Sequence, residues 1–152
     1  PDGKRGKYYI LVSSGVAIIA EDKDKKIYLV GQTRYAVGKV YSWEIVTGGV
    51  KPGKSPLETA KQELKEETGL VAKKWINLGY FYPFNGHASE KTMLYLAKDL
   101  KKTEQVLDPT EDITVRKEKV TKITEMIRNN EMTCGMAIAA IYKYLLYKEK
   151  GK

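Results

Sequence analysis

The chain has 152 residues, 42% of them hydrophobic and 30% charged, with a formal net charge of +8, a balance from which one soluble domain over residues 1–152 is expected. No apolar run approaches the ~18 to 20 residues needed to span a bilayer, and neither zinc-finger spacing nor an RNA-binding aromatic signature is present, so membrane and nucleic-acid partners are not expected. The one cysteine, Cys134, excludes an intramolecular disulfide and, with no signal-peptide pattern, points to a reducing, cytoplasmic setting.

Taken in order, residues 8–12 are β-prone, Ser13 and Ser14 read as a turn, and residues 15–20 (GVAIIA) as a buried strand. A charged turn (EDKDKK, residues 21–26) then leads into residues 27–30 (IYLV), which complete an expected hairpin. After Gln32 to Tyr35 and a loop, residues 41–46 (YSWEIV) form a strand that runs into a glycine-rich segment beginning at Gly48. Ser55 is a good N-cap, Pro56 suits the first helical position, and Glu58 completes a capping box, with Gly69 as the stop. A strand follows around residues 75–82, whose aromatics Trp75, Tyr80, Phe81 and Tyr82, with Phe84 after them, are expected mostly in the core. Residues 83–90, including the sole histidine, His87, form a turn-rich loop. Residues 91–97 alternate as a strand, 99–112 read as a polar loop, and 113–115 start another strand. Residues 120–129 and 135–148 read as helices, the second with an apolar face of Met136, Ile138, Ala139, Ile141, Tyr142 and Leu145. Strands with helices before and after them predict a layered α/β fold.

The helix after Ser55 carries the chemistry. At ~100° per residue, Leu57, Ala60 and Leu64 make an apolar stripe, Glu63, Glu66 and Glu67 flank it on one side, and Lys61 and Lys65 on the other. Like charges at these spacings each cost a few tenths of a kcal/mol, and Glu66 and Glu67 also sit at the negative end of the helix dipole. A hard divalent cation would remove both penalties, because Mg²⁺ and Mn²⁺ prefer oxygen ligands. The plain alternative is a solvated acidic face.

Residues 48–70 resemble the Nudix box: Gly, five residues, Glu, seven residues, Arg-Glu, an aliphatic, any residue, Glu-Glu, any residue, Gly, aliphatic. Gly48, Glu63, Leu64, Glu66, Glu67, Gly69 and Leu70 fall in register, whereas Lys54 stands where the family has Glu and Gln62 where it has Arg. The resemblance implies an α/β/α sandwich around a mixed β-sheet, with a divalent ion, Mg²⁺ or Mn²⁺, held by Glu63, Glu66, Glu67 and the Thr47 carbonyl. It also implies that an Arg at position 62 would fix the neighbouring Glu63, so that Gln62→Arg is expected to raise kcat/KM.

The preceding segment, GQTRYAVGKVYSWEIVTGG, is similar to the ADP-ribose and nucleoside-diphosphate-sugar branch of that family, although Val46 and Thr47 stand where Pro-Ala or Pro-Glu is usual. By this resemblance Arg34, Tyr35, Trp43 and Glu44 belong to substrate binding, with Arg34 on phosphate, for which a guanidinium is a natural bidentate partner. Glu90 loosely matches a further substrate-contacting position, and Glu111, before a strand, matches a catalytic base or its helper, with Glu67 as the second choice. The implied reaction is hydrolysis of the diphosphate of ADP-ribose or a related nucleotide sugar, a small-molecule nucleotide, to a nucleoside monophosphate and a sugar phosphate. A homodimer is the expectation by analogy. Two alternatives stay open: a Nudix hydrolase of nucleoside triphosphates or capped RNA ends, and a non-catalytic Nudix domain that binds nucleotide or a partner.

Overall fold

The computed structural model describes residues 13–107 and 112–151. Both the β-prone run at 8–12 and Glu111 lie outside the described residues. The elements are β1 (Ser14–Ala20), β2 (Lys26–Arg34), a 3-10 turn (Tyr35–Val37), β3 (Val40–Glu44), β4 (Val46–Gly49), α1 (Pro56–Thr68), β5 (Leu70–Phe81), β6 (Lys91–Lys102), β7 (Thr114–Lys119), α2 (Val120–Arg128) and α3 (Gly135–Glu149). They form a mixed four-stranded sheet in the order β4-β1-β6-β5, with β1 parallel to β6, and an antiparallel three-stranded sheet in the order β3-β2-β7.

β1 explains the layering. Val16, Ile18 and Ala20 join the core that contains Ala60 and Leu64 of α1, while the alternate residues Ala17 and Ile19 join the core that contains Ile141 and Tyr144 of α3. A strand buried on both faces needs a continuous apolar run rather than alternation, which is what GVAIIA supplies. The resulting α/β/α arrangement is the fold class expected from the sequence. α1 begins on a complete capping box between Ser55 and Glu58, and Gly69 ends it in the left-handed region at φ 65°. Thr103 and Gln105 then clamp that end: the Thr103 amide and hydroxyl donate to the Gly69 carbonyl, and the Gln105 amide donates to that of Glu67.

Several expectations need correction. β1 and β2 do not form a hairpin. One bridge, Glu21 to Ile27, joins them before they part into different sheets, because β1 is claimed on either side by β4 and β6. Ser14 is in β1 rather than a turn, and the strand leading to the box breaks at Ile45 into β3 and β4. β6 extends to Lys102, where a polar loop was expected, because β5 reaches back to pair Leu70 with Lys102. Tyr80, Tyr82 and Phe84 are exposed rather than core. The buried residues of α3 are Ala137, Ala140, Ile141 and Tyr144, while Tyr142 faces solvent.

Tyr144 turns inward because Glu21 does. The buried Glu21 carboxylate accepts a hydrogen bond from the Tyr144 hydroxyl and another from Lys148 Nζ at 2.9 Å, and Lys98 Nζ lies 3.0 Å away. Burial works to raise this carboxyl, but the bonds from Tyr144, Lys148 and Lys98 outweigh it and hold it at about 2, against a usual 4.5. That difference contributes about 3 kcal/mol of stability. Because the folded value is depressed, the contribution is complete above about pH 4.5 and is lost as the pH falls toward about 2. Urea unfolding between pH 6 and pH 2.5 should therefore show Glu21→Gln less pH-dependent than the parent by about that amount. Equal slopes in the two proteins would remove Glu21 as a source of acid sensitivity.

Candidate active site

A cavity of about 700 Å³ opens between the box and the three-stranded sheet, within the range of small-molecule sites. Thr47 and Gly48 of β4, Glu63 and Glu67 of α1, and Lys51 from the loop between them line one part of it; Gln32, Arg34, Ser42 and Glu44 line another. Glu90 and the segment at Thr133, Cys134 and Met136 complete the wall.

Gly48 determines where Glu63 sits. A Cβ there would fall 2.6 Å from Glu63 Cγ and 2.8 Å from Oε1, with Cδ closer still. Only a residue without a side chain lets the carboxyl lie against the strand, whose own position is held by pairing of Gly48 with Val16. Glu67 is buried beside it, and Glu66 is half-buried on the next turn of the carboxylate face. Lys51 Nζ lies 4.0 Å from Glu63 Oε1 and 3.8 Å from Glu66 Oε2. Gln62 reaches Glu66, donating from Nε2 to Oε1 at 2.6 Å, and its own Oε1 accepts from Lys54 Nζ. Gln62 and Glu66, as i,i+4 partners, share a helix face.

Arg34 is held by Glu44 in a bidentate pair, Nε to Oε1 at 2.9 Å and Nη2 to Oε2 at 2.7 Å. Burial disfavours the Glu44 carboxylate, but the Arg34 bonds and charge outweigh it and keep it below the usual range. The same bonds raise the Arg34 pKa. The guanidinium therefore enters the cavity as a fixed cation with N–H groups to spare. Glu44 serves here by orienting Arg34. Glu90 accepts a bond from the Thr92 hydroxyl at 3.0 Å. Burial pushes the Cys134 thiol up, which leaves it poorly suited as a nucleophile.

Two expected substrate residues are not brought to the cavity. Tyr35 is exposed on the 3-10 turn, and Trp43 packs on the core with the Arg116 guanidinium 3.8 Å over its ring. Conversely, Gln32, Lys51 and residues 133–136 line the cavity without having been singled out from the sequence; Gln32 carried a signal, sharing a strand face with Arg34 at i,i+2, whereas Lys51 and residues 133–136 are assembled by tertiary packing and carry no local signal.

A model of the NUDIX domain matches residues 12–133. The chain belongs to the Nudix family. It is 33% identical over 152 residues to an ADP-ribose pyrophosphatase of Bacillus subtilis (strain 168), across 98% of this chain and 81% of that one. It is 32% identical over 151 residues to a methanol dehydrogenase activator of Bacillus methanolicus, across 99% and 75%. A crystal structure of an ADP compounds hydrolase superposes with a TM-score of 0.82 at 20% identity, covering 91% of this chain and 74% of that one. Family and relatives together identify the chain as a Nudix pyrophosphohydrolase.

Nudix hydrolases generally use divalent ions, and this site has the chemistry for one. Its donors are carboxylate and carbonyl oxygens, the set that hard cations take, and the Lys51 ammonium already lies near Glu63 and Glu66 as a stand-in cation. Among the described residues, no three acidic, histidine or cysteine side chains close a ligand set by themselves. Among the described residues no helix is long and apolar enough to cross a membrane.

Proposed function

We propose that this Nudix enzyme hydrolyses the diphosphate of ADP-ribose or a related nucleotide sugar, with Mg²⁺ or Mn²⁺, to a nucleoside monophosphate and a sugar phosphate. The observation that supports this reading is the one cavity that Glu63 and Glu67 of the box line together with the Glu44-held Arg34, Glu66 standing outside its lining. Glu63, Glu66, Glu67 and the Thr47 carbonyl would hold the ion, which would supply neutralisation of phosphate charge and acidification of water. Arg34 binds a phosphate oxygen and, being fixed by Glu44, loses little freedom in doing so. Glu90, which lines the same cavity, contacts substrate. Glu111 takes the proton of the attacking water, with Glu67 as its substitute. Gly48 and the α1 cap keep these carboxylates in place, which matters because small displacements are costly in rate. The enzyme works in the cytoplasm as a homodimer, an assembly that sedimentation would verify.

The decisive experiment is a Mg²⁺-dependent hydrolysis panel of ADP-ribose, other nucleotide sugars, dinucleoside polyphosphates, ADP, deoxynucleoside triphosphates and capped RNA. A two-ended substrate offers binding energy on both sides of the scissile bond, so ADP-ribose should exceed ADP by a wide margin. A triphosphate, ADP or capped RNA as the best substrate sinks the assignment, and no turnover of any member leaves the non-catalytic alternative. Metal is checked separately: Mg²⁺ or Mn²⁺ should raise Tm, by about 2.7 kcal/mol of stabilisation at a hundredfold excess over Kd. A flat Tm at millimolar metal would count against the site.

A further inference from the structure

Lys54 and Gln62 are the two places where the sequence departs from the Nudix pattern, and the structure joins them. Lys54 Nζ donates to Gln62 Oε1, and Gln62 Nε2 donates to Glu66 Oε1 at 2.6 Å. We propose that Lys54 and Gln62 are one positioning unit that fixes the Glu66 carboxylate for the divalent ion, a role that rests on the metal reading above.

An amide can present either its oxygen or its NH₂ to a neighbour, so glutamine alone would orient a carboxylate weakly. An ammonium has only donors. By occupying Oε1 it fixes the flip of the amide, and the NH₂ is left facing Glu66. Successive hydrogen bonds polarise one another, so part of the lysine charge is felt at Glu66 without a guanidinium lying on the carboxylate. The two oxygens of Glu66 are thereby made unequal: Oε1 is held through Gln62, while Oε2 faces Lys51 at 3.8 Å. Lys51 is half-exposed on a flexible stem, and a cation of that kind is readily displaced. Each departure taken alone weakens the box; together they supply an orienting contact to the same helix face. The contact also changes what Gln62→Arg should do. In the parent the new guanidinium meets the Lys54 ammonium, and no gain in rate is expected.

The test measures the Mg²⁺ concentration at half-maximal Tm shift, beside kcat and KM for ADP-ribose, in the parent, Lys54→Met, Gln62→Met and the double variant. Both single variants should raise half-saturating Mg²⁺ about tenfold, the usual effect of removing a residue that orients a ligand, and the double variant should be no worse than the poorer single one. Gln62→Arg placed in the Lys54→Met background should restore the parent value, since arginine reaches Glu66 with its own charge. A merely structural role for this exposed pair would lower the metal-free Tm and leave half-saturation unmoved. Unchanged half-saturation in both single variants, or additive losses in the double, overturns the unit alone. A parent with no metal-dependent shift overturns the metal reading and the unit together.

Discussion

Replacing Glu67 by glutamine is expected to lower kcat about a thousandfold while leaving the chain folded. Glu67 is buried, lines the cavity, and stands on the last turn of α1 with its carbonyl bound by the Gln105 side chain. Glutamine keeps that backbone contact and the shape of the side chain. What it removes is the carboxyl group from a face shared with Glu63 and Glu66, within electrostatic reach of the Arg34 guanidinium. The loaded enzyme loses a charged oxygen where stabilisation of several kcal/mol is assembled, and about 4 kcal/mol corresponds to a thousandfold in rate. A metal-free Tm close to the parent's, with activity lost, separates this from unfolding. The metal-dependent Tm shift should shrink in parallel. Glu111→Gln measured beside it apportions the base: full activity there, with Glu67→Gln inactive, moves proton abstraction onto the helix. A Glu67→Gln enzyme within tenfold of the parent would remove Glu67 from the machinery.

How much of this could be seen in the sequence depends on how local each signal is. α1 was legible because its signals lie within the helix and its immediate flanks: the Ser55 cap, Pro56, Glu58 and the Gly69 stop all act within a turn. β1 was legible as a strand, yet its partners were not, since pairing to β4 and β6 is decided across the chain while the charged turn after it advertises a hairpin. α3 reads GMAIAAIYKYLLYKE, apolar nearly all round its first turns, so no single stripe stands out. Close approach to the sheet selects the small Ala137 and Ala140, and the Glu21 cluster draws Tyr144 inward. The exposed Tyr80 and Tyr82 stack edge to face and Lys91 lies over the Tyr80 ring, which gives them local partners outside the core. In the site, the carboxylate face followed from helical spacing. The Lys54 to Gln62 contact did not, because it joins a loop residue to a helix residue whose relation depends on how that loop returns.

Gly48→Ala should cost about a hundredfold in activity with little loss of stability, and the reason lies in which neighbour yields. The added methyl would meet the flexible end of Glu63, while the strand beneath is held in register with β1. The carboxyl therefore moves and the sheet stays. A displacement of about 1 Å at a catalytic group is enough to lose about a hundredfold, and half-saturating Mg²⁺ should rise with it. If the alanine acts through Glu63, its effect must vanish where that carboxylate is already disabled: in a Glu63→Gln background, Gly48→Ala should add almost nothing, a coupling that a double-mutant cycle reads directly. Additive losses would mean that the glycine serves something other than Glu63, such as close approach of substrate to the β4 backbone. Full activity in the single variant would show that the carboxyl tolerates displacement, and Glu63 would lose its place among the groups that must be held.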